Sequence, residues 1–190
     1  MRELSQNTAS RSFKITSTSA VAQGFWIISF TILTAAGARI EILHQPVPFT
    51  LQTFMVVLAG GFLGMRNGFI SQVIYLMMGC AGFPVFAGGH AGLSVLLGPT
   101  GGYLLAFPLA SSIIGWMVHL RKGFWWNFFS CSIGFAAIFT LGAMQLNTVY
   151  FHNISDSIKA GFLIFSLWDV SKLFAAASII TVYSRHFVGP

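Results

Sequence analysis

Asp169 and Lys172 stand three residues apart inside the otherwise apolar stretch 160–182. A charged side chain at mid-membrane costs on the order of a few kcal/mol on insertion scales, so ionisable residues there usually face a cavity, a partner or a substrate. At i,i+3 the two project from one helix face. A carboxylate only accepts hydrogen bonds and an ammonium only donates them, so the pair offers complementary contacts to a small polar molecule. The competing role is structural: a self-neutralised pair that locks a helix bundle together. An intramembrane enzyme with Asp169 as acid/base and His90 as its partner is a weaker alternative. His44, His90, His119, His152 and His186 form no His-x-x-x-His or His-Glu pattern, so a metal or nucleophile constellation is missing. A channel is disfavoured too, because one internal ion pair supplies neither a ring of charge nor a carbonyl filter.

Those two residues must be held by membrane helices. Of 190 residues, 55% are hydrophobic and 7% charged, with mean hydropathy +0.77, whereas soluble domains are roughly a quarter charged. Twenty Phe, five Trp and twenty Gly suit a polytopic membrane protein, since aromatic rings favour lipid or its interfaces and Gly permits close helix packing. The expected fold is therefore all-α, with six transmembrane helices near 22–38, 50–64, 68–80, 101–119, 124–146 and 160–182. The second and third are separated only by Arg66-Asn67, and burial of those two residues would reduce the count to five. Residues 1–20 are read as a cytoplasmic tail and 21–190 as one domain.

The formal charge of +6 reports topology rather than nucleic-acid binding, because ten basic residues scattered through apolar sequence build no face for phosphates. With the N-terminus inside, Arg2, Arg11, Lys14, Arg66, Arg121, Lys122 and Arg185 all fall on the cytoplasmic side against Glu3 alone. The outer loops hold Arg39 with Glu41 and Lys159 with Asp156. This is the positive-inside pattern, with both termini cytoplasmic and the Asp169–Lys172 pair in the outer half of the last helix. Ala36-Gly37-Ala38 after an apolar run resembles a signal cleavage site, but the run is long for a signal peptide and a retained first helix is expected. Asn153-Ile154-Ser155 matches a glycosylation sequon that matters only in a secretory pathway. Cys80 and Cys131 lack metal spacing and read as small core residues.

Two external segments carry the remaining polar punctuation. In Gln45-Pro46-Val47-Pro48-Phe49-Thr50-Leu51-Gln52 the prolines predict a stiff, non-helical loop leading into the second helix, able to close over a pocket or simply to connect. Gly79 to Tyr103 is apolar yet full of helix breakers, an irregular segment between helices three and four. Such backbone at membrane depth survives only where protein buries it or where it lines a cavity. No Gly-Lys-Ser/Thr follows, so it is not a phosphate loop. Its glycines fit close approach of backbone to a flat ligand.

Val47-Pro48-Phe49-Thr50-Leu51-Gln52-Thr53, Gly82-Phe83-Pro84-Val85-Phe86-Ala87-Gly88-Gly89, Gly98-Pro99-Thr100-Gly101-Gly102-Tyr103 and the late Asp169-x-x-Lys172 together resemble one family. It is the substrate-binding membrane component of biotin uptake systems, the BioY family of energy-coupling-factor transporters. The resemblance runs from the first helix onward. It implies a six-helix fold that binds biotin near the outer surface, with the loop after the first helix as a lid. It implies no cofactor, biotin being the transported substrate. Asp169 would accept from the ureido N–H groups and Lys172 would donate to oxygen, with the biotin carboxylate as its alternative target. Gly88 and Gly89 would line the pocket, Phe49, Phe86 and Tyr103 would wrap the apolar rings, and Gln52 and Thr50 would add polar ends.

The sequence departs from the family pattern at Gly88, Gly89 and His90, where an Arg or Asn is common in relatives. His90 would then offer the substrate carboxylate a contact whose charge depends on pH, or the role would pass to Arg39. Close analogues such as a vitamin precursor remain a second substrate class. With no ATPase loop in the chain, the resemblance implies a membrane coupling subunit and two ATPase subunits as partners, besides the lipid bilayer. The first helix carries only the loose small-residue pairs Ala20/Gly24 and Thr31/Ala35, which leaves a solitary carrier open.

Overall fold

The computed structural model describes residues 19–42, 47–153, 155–157 and 167–186. Arg2, Arg11 and Lys14 of the tail, Gln45 and Pro46 of the first loop, Ile154 of the sequon, Lys159 and the stretch 160–166 of the last helix lie outside them, as do the side chains of Arg185 and His186.

Helix α1, Ala20–Arg39, leads into a short antiparallel hairpin of β1, Glu41–Ile42, and β2, Phe49–Thr50, with Glu41 opposite Thr50 and Ile42 opposite Phe49. A helical run α2, Gln52–Cys80, follows. The Gly-rich segment then makes a 3-10 turn at Ala87–Gly89 and a short helix α3, Leu93–Leu97. Helices α4, Gly101–Leu120, and α5, Phe124–Leu146, come next, the latter ending in a π turn at Asn147–Phe151. The last helix is α6, Leu167–His186.

α2 is not one straight rod. Gly64 has φ 78° and ψ −178°, a conformation open to glycine and closed to residues with a Cβ. The chain reverses there. A Cβ on Gly68 would lie 3.3 Å from the Cα of Gly60, and the Gln52 side chain bonds the Tyr75 hydroxyl, 23 residues on. A straight helix would hold those two residues about 35 Å apart. Arg66 is exposed and Asn67 half-buried just past the reversal, so the polar pair sits at a turn and not inside a span.

Ala20–Arg39, Gly101–Leu120 and Phe124–Phe151 are each long and apolar enough to cross a membrane, and Gln52–Cys80 is equally apolar but divided by the reversal at Gly64 into two shorter arms. Val21, Phe25, Trp116 and Trp125 are exposed on their outer faces, far more apolar surface than a water-soluble monomer presents. The interior is built of Tyr75, Phe107, Phe135 and Ile138 where α2, α4 and α5 meet. Polar side chains stitch the helices: Thr31 Oγ1 donates to the Ser71 carbonyl at 3.0 Å, Gln72 Nε2 to Thr34 Oγ1 at 3.2 Å, and Asn127 Nδ2 to Thr181 Oγ1 at 2.9 Å. Interhelical hydrogen bonds of this kind supply cohesion where lipid removes the hydrophobic drive between helices. Cys131 is buried in this core and Cys80 half-buried, both as free thiols.

Candidate binding site

Lys172 Nζ donates to Asp169 Oδ1 at 2.9 Å, and the two side chains are 4% and 2% exposed. Nζ also donates to the Thr50 carbonyl at 2.8 Å and, more loosely, to Thr53 Oγ1 at 3.4 Å. An ammonium has three donors, and each has a protein acceptor here. Such satisfaction is what makes burial of a charge tolerable. The ion pair therefore does more than neutralise itself: it grips the end of β2 and the start of α2. Trp168, half in contact with the outside, presents its ring 5.8 Å from Nζ, within reach of a cation–π attraction.

From Thr50 a polar thread runs toward the Gly-rich segment. Thr50 Oγ1 donates to Gln52 Oε1 at 3.0 Å and accepts from the Gln52 backbone N–H at 3.3 Å. Gln52 Nε2 donates to the Tyr75 hydroxyl, which donates to the Val85 carbonyl at 3.1 Å. Thr50, Gln52 and Tyr75 are all buried, so this thread is a fixed part of the interior and not a solvated surface.

The Gly-rich segment is tied at both ends. The Gly79 carbonyl accepts from Gly82 and Gly92 at 3.2 and 2.8 Å, and Gln145 Nε2 donates to the carbonyls of Leu96 and Gly98, both at 2.8 Å. Phe86 is buried flat against Gly79, where any Cβ would overlap its ring, and meets Tyr75 edge-on at 5.6 Å. Gly88 and Gly89 are left-handed, with φ 66° and 74°. His90 is exposed beside them.

The hairpin reaches the same segment from the other side. Arg39 Nη2 donates to the Pro84 carbonyl, and the Gly88 N–H donates to Glu41 Oε2 at 3.0 Å. Asp169, Lys172, Thr50 and Gln52 thus form one buried cluster. Arg39, Gly88, Gly89 and His90 form a second, more exposed one, joined to the first through Tyr75 and Val85. Phe49 is half-buried on β2. Tyr103 is buried, against Gly142 and edge-on to Phe139 at 6.0 Å. Glu41, Thr53, Tyr75 and Gln145 belong to this framework without having been singled out in the sequence. Glu41 could have been, as one of four acids in the chain and two residues from Arg39. Tyr75 could not, because its place opposite Gln52 depends on the reversal at Gly64.

The arrangement suits a small, partly polar molecule: a buried acceptor and donor, an apolar surround, and a hairpin across the site. Known proteins give the frame a name. The chain is 42% identical over 150 residues to the biotin transporter BioY of Thermotoga maritima, covering 79% of this chain and 88% of that one. It is 40% identical over 151 residues to the probable biotin transporter BioY of Pyrococcus horikoshii, covering 80% and 88%. Its fold matches the crystal structure of the S-component for biotin from an ECF-type ABC transporter with TM-score 0.82, at 24% identity, over 91% of this chain and 97% of that one. The BioY family model matches residues 7–188, and the chain belongs to the BioY family.

Proposed function

We propose that this chain binds biotin and carries it across the cell membrane as the substrate-binding component of an energy-coupling-factor transporter. Membership of a family whose relatives are named biotin transporters supports the substrate, and speaks against the enzyme alternative. The observation that carries the site is the buried Asp169–Lys172 pair bonded to the end of the β1–β2 hairpin. Asp169 accepts from the ureido N–H groups of biotin. Lys172 donates to an oxygen of the ligand or holds Asp169 and the hairpin in place, and the β1–β2 hairpin forms the lid.

The chain crosses the membrane six times with both termini in the cytoplasm, the two arms of α2 counting as separate spans. Exposed Arg66, Arg121 and Lys122 support this orientation, with Glu41 and Asp156 lying at turns of the opposite side. A membrane coupling subunit and two ATPase subunits supply the energy. Their docking falls to Ala20/Gly24 on α1, because Thr31 is buried against Ser71 while Gly24 faces open space.

Purified protein in lipid nanodiscs, titrated with labelled biotin, tests the substrate; dethiobiotin competition separates biotin from a precursor. Saturable binding with unchanged biotin recovered is the expected result, and no binding, or a chemically altered product, overturns it. Uptake measured in biotin-requiring cells with and without the ATPase subunits decides between the coupled and the solitary carrier.

A further inference from the structure

Two side chains at the junction of α1 and β1 reach across to the Gly-rich segment with opposite polarity. Arg39 donates to the carbonyl of Pro84, 45 residues away, and Glu41 accepts the N–H of Gly88, 47 residues away. A guanidinium meets the negative end of a peptide dipole and a carboxylate meets the positive end of another, so each bond is charge-assisted. The backbone is shaped to receive them. Gly88 and Gly89 are both left-handed, and a Cβ on Gly89 would stand 2.8 Å from Arg39 Nη1. Any other residue at 89 would push the guanidinium away. The Gly-Gly pair therefore makes room for the protein's own side chains as much as for a ligand.

These contacts are exposed, in contrast to the other anchor of the hairpin, the buried bond from Lys172 to the Thr50 carbonyl. In the β1–β2 register Glu41 faces Thr50. One strand is thus fastened inward, to the ion pair, and the other sideways, to the Gly-rich segment. The sideways fastening is the one water can reach, and so the one that opens first.

We propose that Glu41, with Arg39, is the latch of the lid: positioning residues that close the hairpin onto Gly88 and Pro84 and set how long a bound molecule stays, without touching it. This rests on the reading of the hairpin as a lid over a biotin site. A latch acts after entry, so it governs dissociation, which is where most affinity differences between related complexes reside.

The test is a chase experiment on the purified protein in nanodiscs, with labelled biotin displaced by unlabelled biotin. Glu41→Ala is expected to speed dissociation about three- to tenfold, the range for loss of one exposed charge-assisted hydrogen bond, with association nearly unchanged. Glu41→Gln keeps an acceptor oxygen and should fall between. Arg39→Ala combined with Glu41→Ala should cost less than the product of the single effects, because both close one contact. Unchanged dissociation in Glu41→Ala, or equal slowing of association, overturns the latch. If the wild-type protein fails to hold biotin at all, the substrate reading falls and the latch is judged without ligand. Amide hydrogen exchange at Gly88 should then be several-fold faster in Glu41→Ala, and equal exchange in both proteins overturns it.

Discussion

The two fastenings of the β1–β2 hairpin differ in kind. At one, Lys172 and Asp169 are almost wholly buried and every ammonium donor is bonded. At the other, Arg39 and Glu41 hold backbone groups of the Gly-rich segment in the open. A buried charge pair is costly to break, because removing one partner strands the other in a low dielectric. An exposed bond can exchange with water at little net cost. The molecule thus combines a permanent anchor with a releasable one on a single small element, which is what a lid requires.

Breaking the permanent anchor should have the largest effect. Lys172→Met takes the ammonium away from the buried Asp169 carboxylate, a loss of about 3–5 kcal/mol in stability for a pair of this kind, measurable as a fall in the thermal unfolding midpoint. Asp169→Asn should keep more of the fold yet lose most biotin affinity, since the amide presents a donor where the ligand needs an acceptor. The double variant Asp169→Leu/Lys172→Met sharpens the comparison. Replacing a buried pair by apolar residues is often neutral for stability, so the double variant should unfold near the wild-type temperature while failing to bind biotin. Recovery of both properties would make the pair mere glue.

The backing of the exposed side comes next. Gly79→Val forces a side chain into the Phe86 ring, and overpacking of this sort costs about 1–3 kcal/mol. Gln145→Leu removes the donor shared by the Leu96 and Gly98 carbonyls and should cost about 1 kcal/mol, since both bonds are only partly buried and water can meet the acceptors in part. Both changes should lower thermal stability and weaken biotin binding together, because the segment they support carries the receiving groups of the latch. Phe86→Leu placed on Gly79→Val should restore part of the loss.

How legible this was differs between the same two regions. The ion pair was legible because its parts are local: two charges at i,i+3 in an apolar stretch define a face without any tertiary knowledge. Thr50 and Gln52 were legible because prolines mark the loop before them. The latch was not, since Glu41 and Gly88 meet only after the chain has gone out along α2 and returned. Membrane helices also hide their inward faces. Thr31 is buried and Phe25 exposed on the same helix, the reverse of what a water-soluble amphipathic pattern would give, so apolar periodicity cannot tell core from lipid. Phe86 and Tyr103 show the consequence. Both are expected at a ligand from their motifs, and both pack on glycines, Gly79 and Gly142, a contact that aromatic residue type alone does not announce.

The smallest effect is expected at His90, which is exposed beside the two left-handed glycines. Its ring can donate a hydrogen bond to the biotin carboxylate. Solvent competes for a contact this open, so His90→Ala should weaken biotin affinity by no more than a few-fold, as for exposed polar contacts generally. Affinity equal to the wild type in His90→Ala would remove His90 from the site, and a loss well beyond tenfold would make it a principal contact with the ligand.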